Sequence, residues 1–234
     1  MKRIGIIGAM EVEVASLKEK MKDVQITRKA SMEFYAGLLE GKNVVVVRSG
    51  IGKINAAVCT QILIDEFKVE AVINTGIAGS LNADINIGDI VISTDLVHHD
   101  MNAVAFGYPV GQVPQMDAFS FESDEALRKI AVKACKDVNP DIEVYEGRIA
   151  SGDQFVADQA VKDRIVKDFG AYAVEMEGAS IAHTAYLNHI PFLVVRAISD
   201  KADGSAEMDY PTFEAMAAEH SVKMTLRILK DIQD

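Results

Sequence analysis

The sequence predicts an α/β fold, in which a central, mostly parallel mixed sheet is flanked by helices to give three layers. Seven runs rich in β-branched residues recur along the 234 residues, and several are continuously apolar, as strands buried on both faces should be. Helical patterns separate most of these runs, and such alternation is typical of right-handed βαβ units. The sequence has no internal repeats and no linker-like change of composition, so residues 1–234 are expected to form a single domain.

Each predicted element follows from its local pattern. The strands are bounded by Gly, Asp or Asn and are expected at residues 3–7, 44–47, 71–74, 89–93, 144–150, 173–175 and 192–198. The helices follow from apolar residues three or four positions apart and are expected around residues 10–21, 54–62, 127–134, 161–166, 181–185 and 213–228. Residues 98–120 contain two glycines, two prolines and scattered aromatic residues without a period. A loop of that length is expected to be a lid or a binding element.

Composition and charge exclude several classes of function. The formal net charge of −11 argues against a nucleic-acid partner, because binding to a phosphate backbone depends on Lys and Arg. The sequence contains no run of about 18 apolar residues, so no membrane span is expected. The apolar run at the N-terminus is too short for a signal peptide. Cys59 and Cys135 lie in apolar-periodic segments and are expected to be buried thiols of a cytoplasmic protein. Metal-ligand spacings are missing, so neither a metal nor another cofactor is expected.

Three apolar runs end at carboxylates, and this is the most informative pattern in the chain. One run carries Glu175 and Glu177, another ends at Asp200, and the first strand leads into Glu11 and Glu13. In a sheet covered on both faces, ligands bind in the crevice beyond the strand ends. Several acids and almost no bases at these ends predict a site for a ligand with hydroxyls, protonatable nitrogens or developing positive charge, and not a site for phosphate.

Glu13 and Asp200 are candidates for proton transfer. Glu11 is explained by the helix dipole alone, which favours acids in the first turn, and is assigned as a cap. Glu13 precedes Val14 of the buried stripe and is expected to face the strand ends, where it could take a proton from water. Asp200 could donate a proton near neutral pH if its surroundings raised its pKa by about three units. An ion pair between Arg196 and Asp200 is the alternative, and it would lower that pKa.

Glu175 and Glu177 are candidates for recognition of a sugar. If the strand continued through them, both would share one face, with Met176 on the other. Buried carboxylates need partners, and the hydroxyls of a cis-diol are suitable ones. A solvated strand end is the alternative interpretation.

Two glycine-rich segments follow predicted strands, at residues 48–53 and 75–79. The first fits neither a dinucleotide-binding nor a Walker motif. Glycine allows close approach, so these segments could bring backbone N–H groups near a ligand, or they could be ordinary strand-to-helix corners. The five histidines are assigned to packing, and the sequence contains no G-x-S-x-G motif of a serine hydrolase.

Seven segments, in their order and spacing, make the chain resemble a known enzyme family. They are Ile-Gly-Ile-Ile-Gly-Ala-Met-Glu-x-Glu at 4–13, Ser-Gly-Ile-Gly-Lys at 49–53, Asn-Thr-Gly-x-Ala-Gly at 74–79, Ala-Phe-Gly-Tyr at 105–108, Ser-Gly-Asp-x-Phe at 151–155, Val-Glu-Met-Glu at 174–177 and Val-Arg-Ala-Ile-Ser-Asp at 195–200. On these segments the chain resembles the bacterial 5′-methylthioadenosine/S-adenosylhomocysteine nucleosidases, within the purine nucleoside phosphorylase-like superfamily. The resemblance implies a phosphorylase/hydrolase-like fold. It also implies hydrolysis of the N-glycosidic bond of both nucleosides, releasing adenine and the 5-thioribose product in methionine salvage and methyl-cycle detoxification.

The resemblance further implies roles for individual residues. Glu13 corresponds to the base that activates water, and Asp200 to the acid that protonates adenine N7. The sugar and adenine sites are expected to comprise Met176 and Glu177 at the ribose hydroxyls with Arg196 nearby, Phe155 stacked on the purine, Val156 reading its Watson–Crick side through the backbone, and Gly79 against the ligand. The thioalkyl pocket is expected to contain Met10, Ile51, Phe106 and Tyr210. Tyr108 is expected to reach the site from the partner subunit of a homodimer.

The sequence departs from the family pattern at Ile77, where many members carry serine close to the adenine acid. Ser199 is then left as the hydroxyl that could bond Asp200. Three other functions stay open: phosphorolysis on the same scaffold, cleavage of a different 6-amino nucleoside such as aminofutalosine, and nucleoside binding without turnover. The acidic opening segment disfavours the first, and the presence of Glu13, Glu177 and Asp200 disfavours the third.

Overall fold

Strands and helices alternate along the chain in the predicted order. The computed structural model describes residues 3–201 and 206–233, with the side chains of residues 206–211 excepted. The strands are β1 Arg3–Gly8, β2 Lys22–Lys29, β3 Met32–Leu39, β4 Lys42–Arg48, β5 Ala71–Ser80, β6 Ile90–His98, β7 Phe121–Glu122, β8 Val144–Ser151, β9 Ala173–Glu175 and β10 Phe192–Asp200. The helices are α1 Glu11–Lys20, α2 Lys53–Asp65, α3 Glu125–Val138, α4 Gln159–Phe169, α5 Gly178–Leu187 and α6 Ala206–Asp231, with a 3₁₀ helix at Val104–Phe106. The predicted α/β fold class is confirmed, and every predicted strand and helix is present.

The hairpin of β2 and β3 and the short strand β7 are missing from the prediction. All eight residues of β2 are exposed, so this strand has no apolar alternation to recognise. The two residues between β2 and β3, Ala30 and Ser31, both have positive φ. A two-residue hairpin turn of this kind is usually signalled by Asn-Gly or Gly-Gly, which this sequence lacks.

Strand β5 is longer than predicted and corrects one interpretation. Residues 75–79 do not form a turn; they continue the strand to Ser80, because β10 pairs alongside them from Val195↔Thr75 to Asp200↔Gly79. The other glycine-rich segment does connect β4 to α2, and Gly50 and Gly52 in it have φ of 85° and 97°. That conformation favours glycine.

The sheet is mixed and closes on itself at one end. Parallel pairs join β1 to β4, β1 to β5, β5 to β10, β6 to β8 and β8 to β9. Antiparallel pairs of β10 with β6 and of β5 with β9 complete a circuit through β5, β10, β6, β8 and β9. Strands β1, β4, β3 and β2 extend from β5 as an open wing. The ends of β1, β5, β9 and β10 therefore meet at one place.

Helices cover the sheet on both faces and contribute to separate apolar clusters. Helices α1, α3 and α6 pack on one face, in a cluster that includes Cys135. Helices α2 and α5 pack on the other, in a cluster that includes Cys59. Both cysteines are buried free thiols. Helix α4 packs on a third, smaller cluster at the closed end of the sheet. Among the helices that the structure describes, none has both the length and the apolar character needed to cross a bilayer.

Candidate active site

A cavity of about 460 Å³ lies where the strand ends meet. It is lined by Ala9, Met10, Glu13, Ile51, Ile77, Ala78, Gly79, Phe155, Val174, Glu175, Met176, Glu177, Ser199 and Asp200. The lining thus brings together acids from three different segments of the chain. Within the described residues, no lysine or arginine lines this cavity.

Glu13 is held in the first turn of α1 by three backbone N–H groups. Its Oε2 accepts from Ala9 N at 2.6 Å and Met10 N at 2.9 Å, and its Oε1 accepts from Ile77 N at 3.1 Å. Burial raises the pKa of this carboxyl, although the charge of Arg196 and these hydrogen bonds oppose the shift. The result is a fixed, buried carboxylate suited to accept a proton.

Glu11 lies in the first turn of α1, as the helix-dipole interpretation expects, but Met10 and not Glu11 is the N-cap residue. Glu11 is exposed, and its carboxylate pairs with Lys18 Nζ at 2.9 Å. The backbone N–H of Met10 at the helix start is bonded instead by Glu13, two residues further into the helix. Position three of a helix is where a carboxylate can reach back to this N–H group.

Glu175 forms a buried ion pair with Arg196. Arg196 Nη2 lies 2.5 Å from Glu175 Oε2 and 2.6 Å from Asn74 Oδ1. Glu175 also accepts hydrogen bonds from the Ser151 hydroxyl and from the backbone N–H of Gly178. Burial opposes its ionisation, but the Arg196 charge and these hydrogen bonds together lower its pKa. The alternative pairing of Arg196 with Asp200 is therefore wrong, and Arg196 lies behind Glu175, outside the cavity lining.

Glu177 differs from Glu175 although it lies only two residues away. Strand β9 ends at Glu175 and α5 begins at Gly178, so the expectation that both acids share one strand face is wrong. Both carboxyl groups are buried, so the alternative of a solvated strand end is also wrong. Glu177 Oε1 accepts from Gly52 N at 2.8 Å. Burial, and then the charge of Glu175, raise the pKa of Glu177 to about 8. At neutral pH this carboxyl can both donate and accept hydrogen bonds.

Asp200 is the last residue of β10, and its carboxyl lies near the side chains of Ser199 and Lys162. Ser199 Oγ donates to Asp200 Oδ1 at 2.9 Å. Lys162 Nζ lies 3.7 Å from Asp200 Oδ2, and the Lys162 side chain is only 1% exposed. Lys162 is not among the residues predicted for the site. Its spacing from the buried residues Ile165 and Phe169 on α4 was the available signal, because positions three and seven apart share a helix face.

Two glycines of β5 make room for the two acids. A Cβ atom at Gly76 would lie 2.5 Å from Glu13 Oε1, and one at Gly79 would lie 2.7 Å from Asp200 Oδ2. Either contact is too short for a side chain to be tolerated without displacement. Glycine at these two positions thus lets the Glu13 and Asp200 carboxyl groups approach the strand.

The remaining predicted residues fall into two groups. Met10, Ile51, Gly79, Phe155, Met176 and Ser199 line the cavity, and Val156 lines a small adjoining space of about 30 Å³ together with Gly79, Phe155 and Asp200. Phe106 does not line the cavity of its own chain, because the 3₁₀ helix leaves it 84% exposed. Tyr108 is half-buried in the same loop, and its hydroxyl accepts from Gln115 N at 3.3 Å. The side chain of Tyr210 lies outside the described residues.

The arrangement suits acid–base cleavage of a bond to an electron-poor carbon. Clustered carboxyl groups in a cavity stabilise positive charge that develops in a transition state. Glu13 can accept a proton, and Asp200 can supply one. In residues 3–201 and 206–233, no group of three or more His, Cys, Asp and Glu side chains is arranged to hold a metal ion.

The chain is similar over its whole length to proteins of known name. A family model described as the phosphorylase superfamily matches residues 3–230. The 5′-methylthioadenosine/S-adenosylhomocysteine nucleosidase of Bacillus licheniformis is 44% identical, over 98% of this chain and 99% of its own. The crystal structure of the Neisseria meningitidis nucleosidase of that name, in complex with methylthio-immucillin-A, is 42% identical, with a TM-score of 0.95 over 99% of this chain and 100% of that one. The futalosine hydrolase of Helicobacter pylori is 35% identical, with a TM-score of 0.93 over 99% and 98%.

Proposed function

The chain belongs to the phosphorylase superfamily and, within it, to the 5′-methylthioadenosine/S-adenosylhomocysteine nucleosidases, and on this premise we propose how its acidic residues divide the reaction. The enzyme is an N-ribosyl hydrolase that cleaves the N-glycosidic bond of methylthioadenosine and S-adenosylhomocysteine and releases adenine. Residues 1–234 act as one domain, because residues from both halves of the chain line a single cavity.

Asp200 is the acid of the adenine side. It transfers a proton to N7 as the bond between N9 and C1′ breaks, so the bonding electrons leave with a neutral adenine. Ser199 holds Oδ1 of this carboxyl at 2.9 Å and orients it. Phe155 stacks on the purine, and the backbone of Val156 bonds its Watson–Crick side. Ile77 offers no hydroxyl to Asp200, whereas Ser199 does.

Glu13 is the base of the sugar side. It removes a proton from the water whose oxygen forms the new bond to C1′. Glu177 and Met176 hold the ribose hydroxyls, and Gly79 brings the backbone close to the ligand. The surrounding carboxyl groups stabilise the positive charge of the oxocarbenium-like sugar as the bond breaks.

One observation carries the choice of water over phosphate as the nucleophile. The cavity is lined by Glu13, Glu175, Glu177 and Asp200, and no lysine or arginine joins them among the described residues. A phosphate nucleophile needs cationic partners, whereas a carboxylate at this place would repel it.

Adenine release in phosphate-free buffer is the direct test. We expect full activity without phosphate, and we expect Glu13→Gln and Asp200→Asn each to lower kcat by about 10²–10⁴ while adenine still binds. Adenine binding by calorimetry is the control for folding. An absolute requirement for phosphate would contradict hydrolysis, and near-normal kcat in either variant would contradict the assigned role of that residue.

A futalosine-type nucleoside is a second candidate substrate, because the similar Helicobacter pylori structure is named a futalosine hydrolase. Competition between purified nucleosides settles the preference. Each nucleoside is added as a competitor while cleavage of the other is measured. If aminofutalosine inhibits cleavage of methylthioadenosine at a lower concentration than methylthioadenosine needs to inhibit cleavage of aminofutalosine, the second candidate replaces the first.

We also propose that the enzyme is a homodimer in which the loop of one subunit completes the site of the other. Phe106 in the loop is exposed, and α2 carries the exposed apolar residues Ile54 and Val58. Lys53 Nζ bonds Asp100 Oδ1 at 2.6 Å, which ties the start of α2 to the start of the loop. A second copy would cover this apolar surface and bring Tyr108 and Phe106 to the thioalkyl end, where Tyr210 is also assigned. We place the reaction in methionine salvage in a reducing cytoplasm, consistent with two free thiols.

A further inference from the structure

We propose that Lys162 is a positioning residue for the adenine acid: it binds the Lys201 carbonyl directly after β10 and places its ammonium group beside the Asp200 carboxyl. The inference rests on the proposed role of Asp200 as the proton donor to N7. It adds a residue from α4 that none of the sequence motifs contains.

The burial of Lys162 demands an explanation. Its side chain is 1% exposed, and lysine is almost never fully buried unless its ammonium group is paired. Helix α4 presents Lys162 on the same face as Ile165 and Phe169, which pack in the apolar cluster at the closed end of the sheet. Desolvation of an ammonium group is costly, so partners must hold it in this place.

The partners of Lys162 belong to the acid-bearing segment. Nζ donates to the Lys201 carbonyl oxygen at 2.6 Å, directly after Asp200. The same atom lies 3.7 Å from Asp200 Oδ2. Ser199 donates a hydrogen bond to Oδ1 of that carboxyl, so a hydroxyl contacts one oxygen and an ammonium group lies near the other. Lys162 thereby fixes both the backbone and the charge environment of the acid.

The chemical consequence concerns the proton transfer. When Asp200 gives its proton to N7, its carboxyl becomes an anion. A cation that is already in place stabilises this anion as it forms, without reorganisation. The same charge also favours ionised Asp200 in the free enzyme, so its contribution to catalysis is the part realised during the proton transfer. Loss of Lys162 should therefore lower kcat more than it raises KM.

The test compares Lys162→Met and Lys162→Gln with Lys167→Met and Asp200→Asn. Lys167 is an exposed lysine on the same helix and serves as the matched control. We expect both Lys162 variants to lose about 10–100-fold in kcat with KM changed less than about threefold, and Lys167→Met to retain the wild-type values. Gln keeps a polar N–H donor on a side chain one atom shorter and removes the charge, so it also guards against a folding defect of the Met variant.

A substrate that needs no proton on its leaving group gives the decisive readout. The substrate is 4-nitrophenyl 5-methylthioriboside, whose leaving group departs as the stable 4-nitrophenolate without a proton. Its cleavage should therefore be nearly insensitive to Lys162→Met and Lys162→Gln. An equal loss on both substrates would overturn the proposal in favour of a structural role. Wild-type kcat in Lys162→Gln would overturn it as well, because the charge would then be dispensable. If Asp200→Asn kept full activity on methylthioadenosine, the assignment of the acid itself would fail instead.

Discussion

Glu175 and Glu177 show how neighbouring carboxyl groups acquire opposite proton affinities. Glu175 faces the Arg196 guanidinium and several donors, and its pKa is lowered in spite of burial. Glu177 is also buried, but its nearest charge is the Glu175 carboxylate, and its pKa rises to about 8. One acid is therefore a permanent anion that neutralises a buried cation. The other can meet a diol as a neutral group.

Glu175→Gln should destabilise the protein strongly. The substitution leaves Arg196 buried without its close anionic partner, and breaking a buried pair in this way costs about 3–5 kcal/mol. We expect a loss near the lower end of that range, because Glu13 still provides negative charge near Arg196. Urea unfolding measures the change in the free energy of unfolding. Glu125→Gln, which removes an exposed pair with Lys129, is the control and should leave stability unchanged. Equal effects of both variants would contradict the role given to Glu175.

Glu177 should make the stability fall as pH rises. Below its ordinary pKa of 4.5, Glu177 is protonated in both the folded and the unfolded chain. Between pH 4.5 and about 8 the unfolded chain releases a proton that the folded chain retains, so the free energy of unfolding decreases over this window and then levels off. The loss is on the order of a few kcal/mol.

Urea titrations of the wild type and Glu177→Gln at pH 5 and pH 8 measure this dependence. The wild type should lose more stability than the variant across that interval, because Gln cannot release a proton. A pH dependence that is the same in both proteins would show that Glu177 has an ordinary proton affinity.

At this scale the sequence predicted the acids better than their partners. Glu13 and Asp200 follow from carboxylates placed after buried strands, a pattern visible in the sequence. The bond from Lys162 to the Lys201 carbonyl and the Glu175–Arg196 pair join residues 39 and 21 positions apart in the chain. Such pairings are set by the tertiary packing of β9, β10 and α4, which local pattern cannot specify.

Helices α3 and α4 offer a matched comparison between fold and site. Asp124 caps α3 by accepting from Leu127 N at 2.8 Å, and Asp158 caps α4 by accepting from Val161 N at 3.0 Å. We expect Asp124→Ala and Asp158→Ala to lose similar stability, about 0.5–2 kcal/mol each. Only Asp158→Ala should lower kcat, because α4 carries Lys162.

Thermal unfolding and steady-state kinetics on the same two preparations test this comparison. A fall in kcat for Asp124→Ala, at equal loss of stability, would show that activity follows global stability and not the position of α4.

The elements themselves were predictable where burial is one-sided or complete. Strand β5 is buried along all ten residues, yet its second half contains glycines that read as a turn. Those glycines are required because Glu13 and Asp200 approach the strand there. Strand β2 was not predicted for the opposite reason, since an exposed edge strand has no apolar face to recognise.

For the whole molecule, assembly is the property with the clearest test. Ile54 on α2 is 78% exposed and belongs to the apolar surface proposed for the dimer. We expect Ile54→Glu to give a monomer by light scattering and to raise KM for methylthioadenosine, because the partner residue Tyr108 is lost from the site. Ile26→Glu is the control, since Ile26 is 53% exposed on β2 and belongs to neither α2 nor the loop. A wild-type chain that is monomeric and fully active would refute the dimer.

The closure of the sheet could not be predicted from the sequence. The circuit through β5, β10, β6, β8 and β9 depends on pairs such as Gly79↔Val174, which are far apart in the chain. Strand β9 has only three residues and could not by itself indicate two partners. Alternation of strands and helices predicts the parallel pairs, but the antiparallel contacts that complete the ring are decided by long-range packing.

The two cysteines give each face of the sheet its own chemical reporter. Burial raises the pKa of both thiols, that of Cys135 to about 11, so neither is a reactive thiolate at neutral pH. Alkylation by iodoacetamide must then wait for the surrounding layer to open. The ratio of the two labelling rates, read by mass spectrometry, would reveal whether the α2–α5 side and the α3–α6 side unfold together or one before the other.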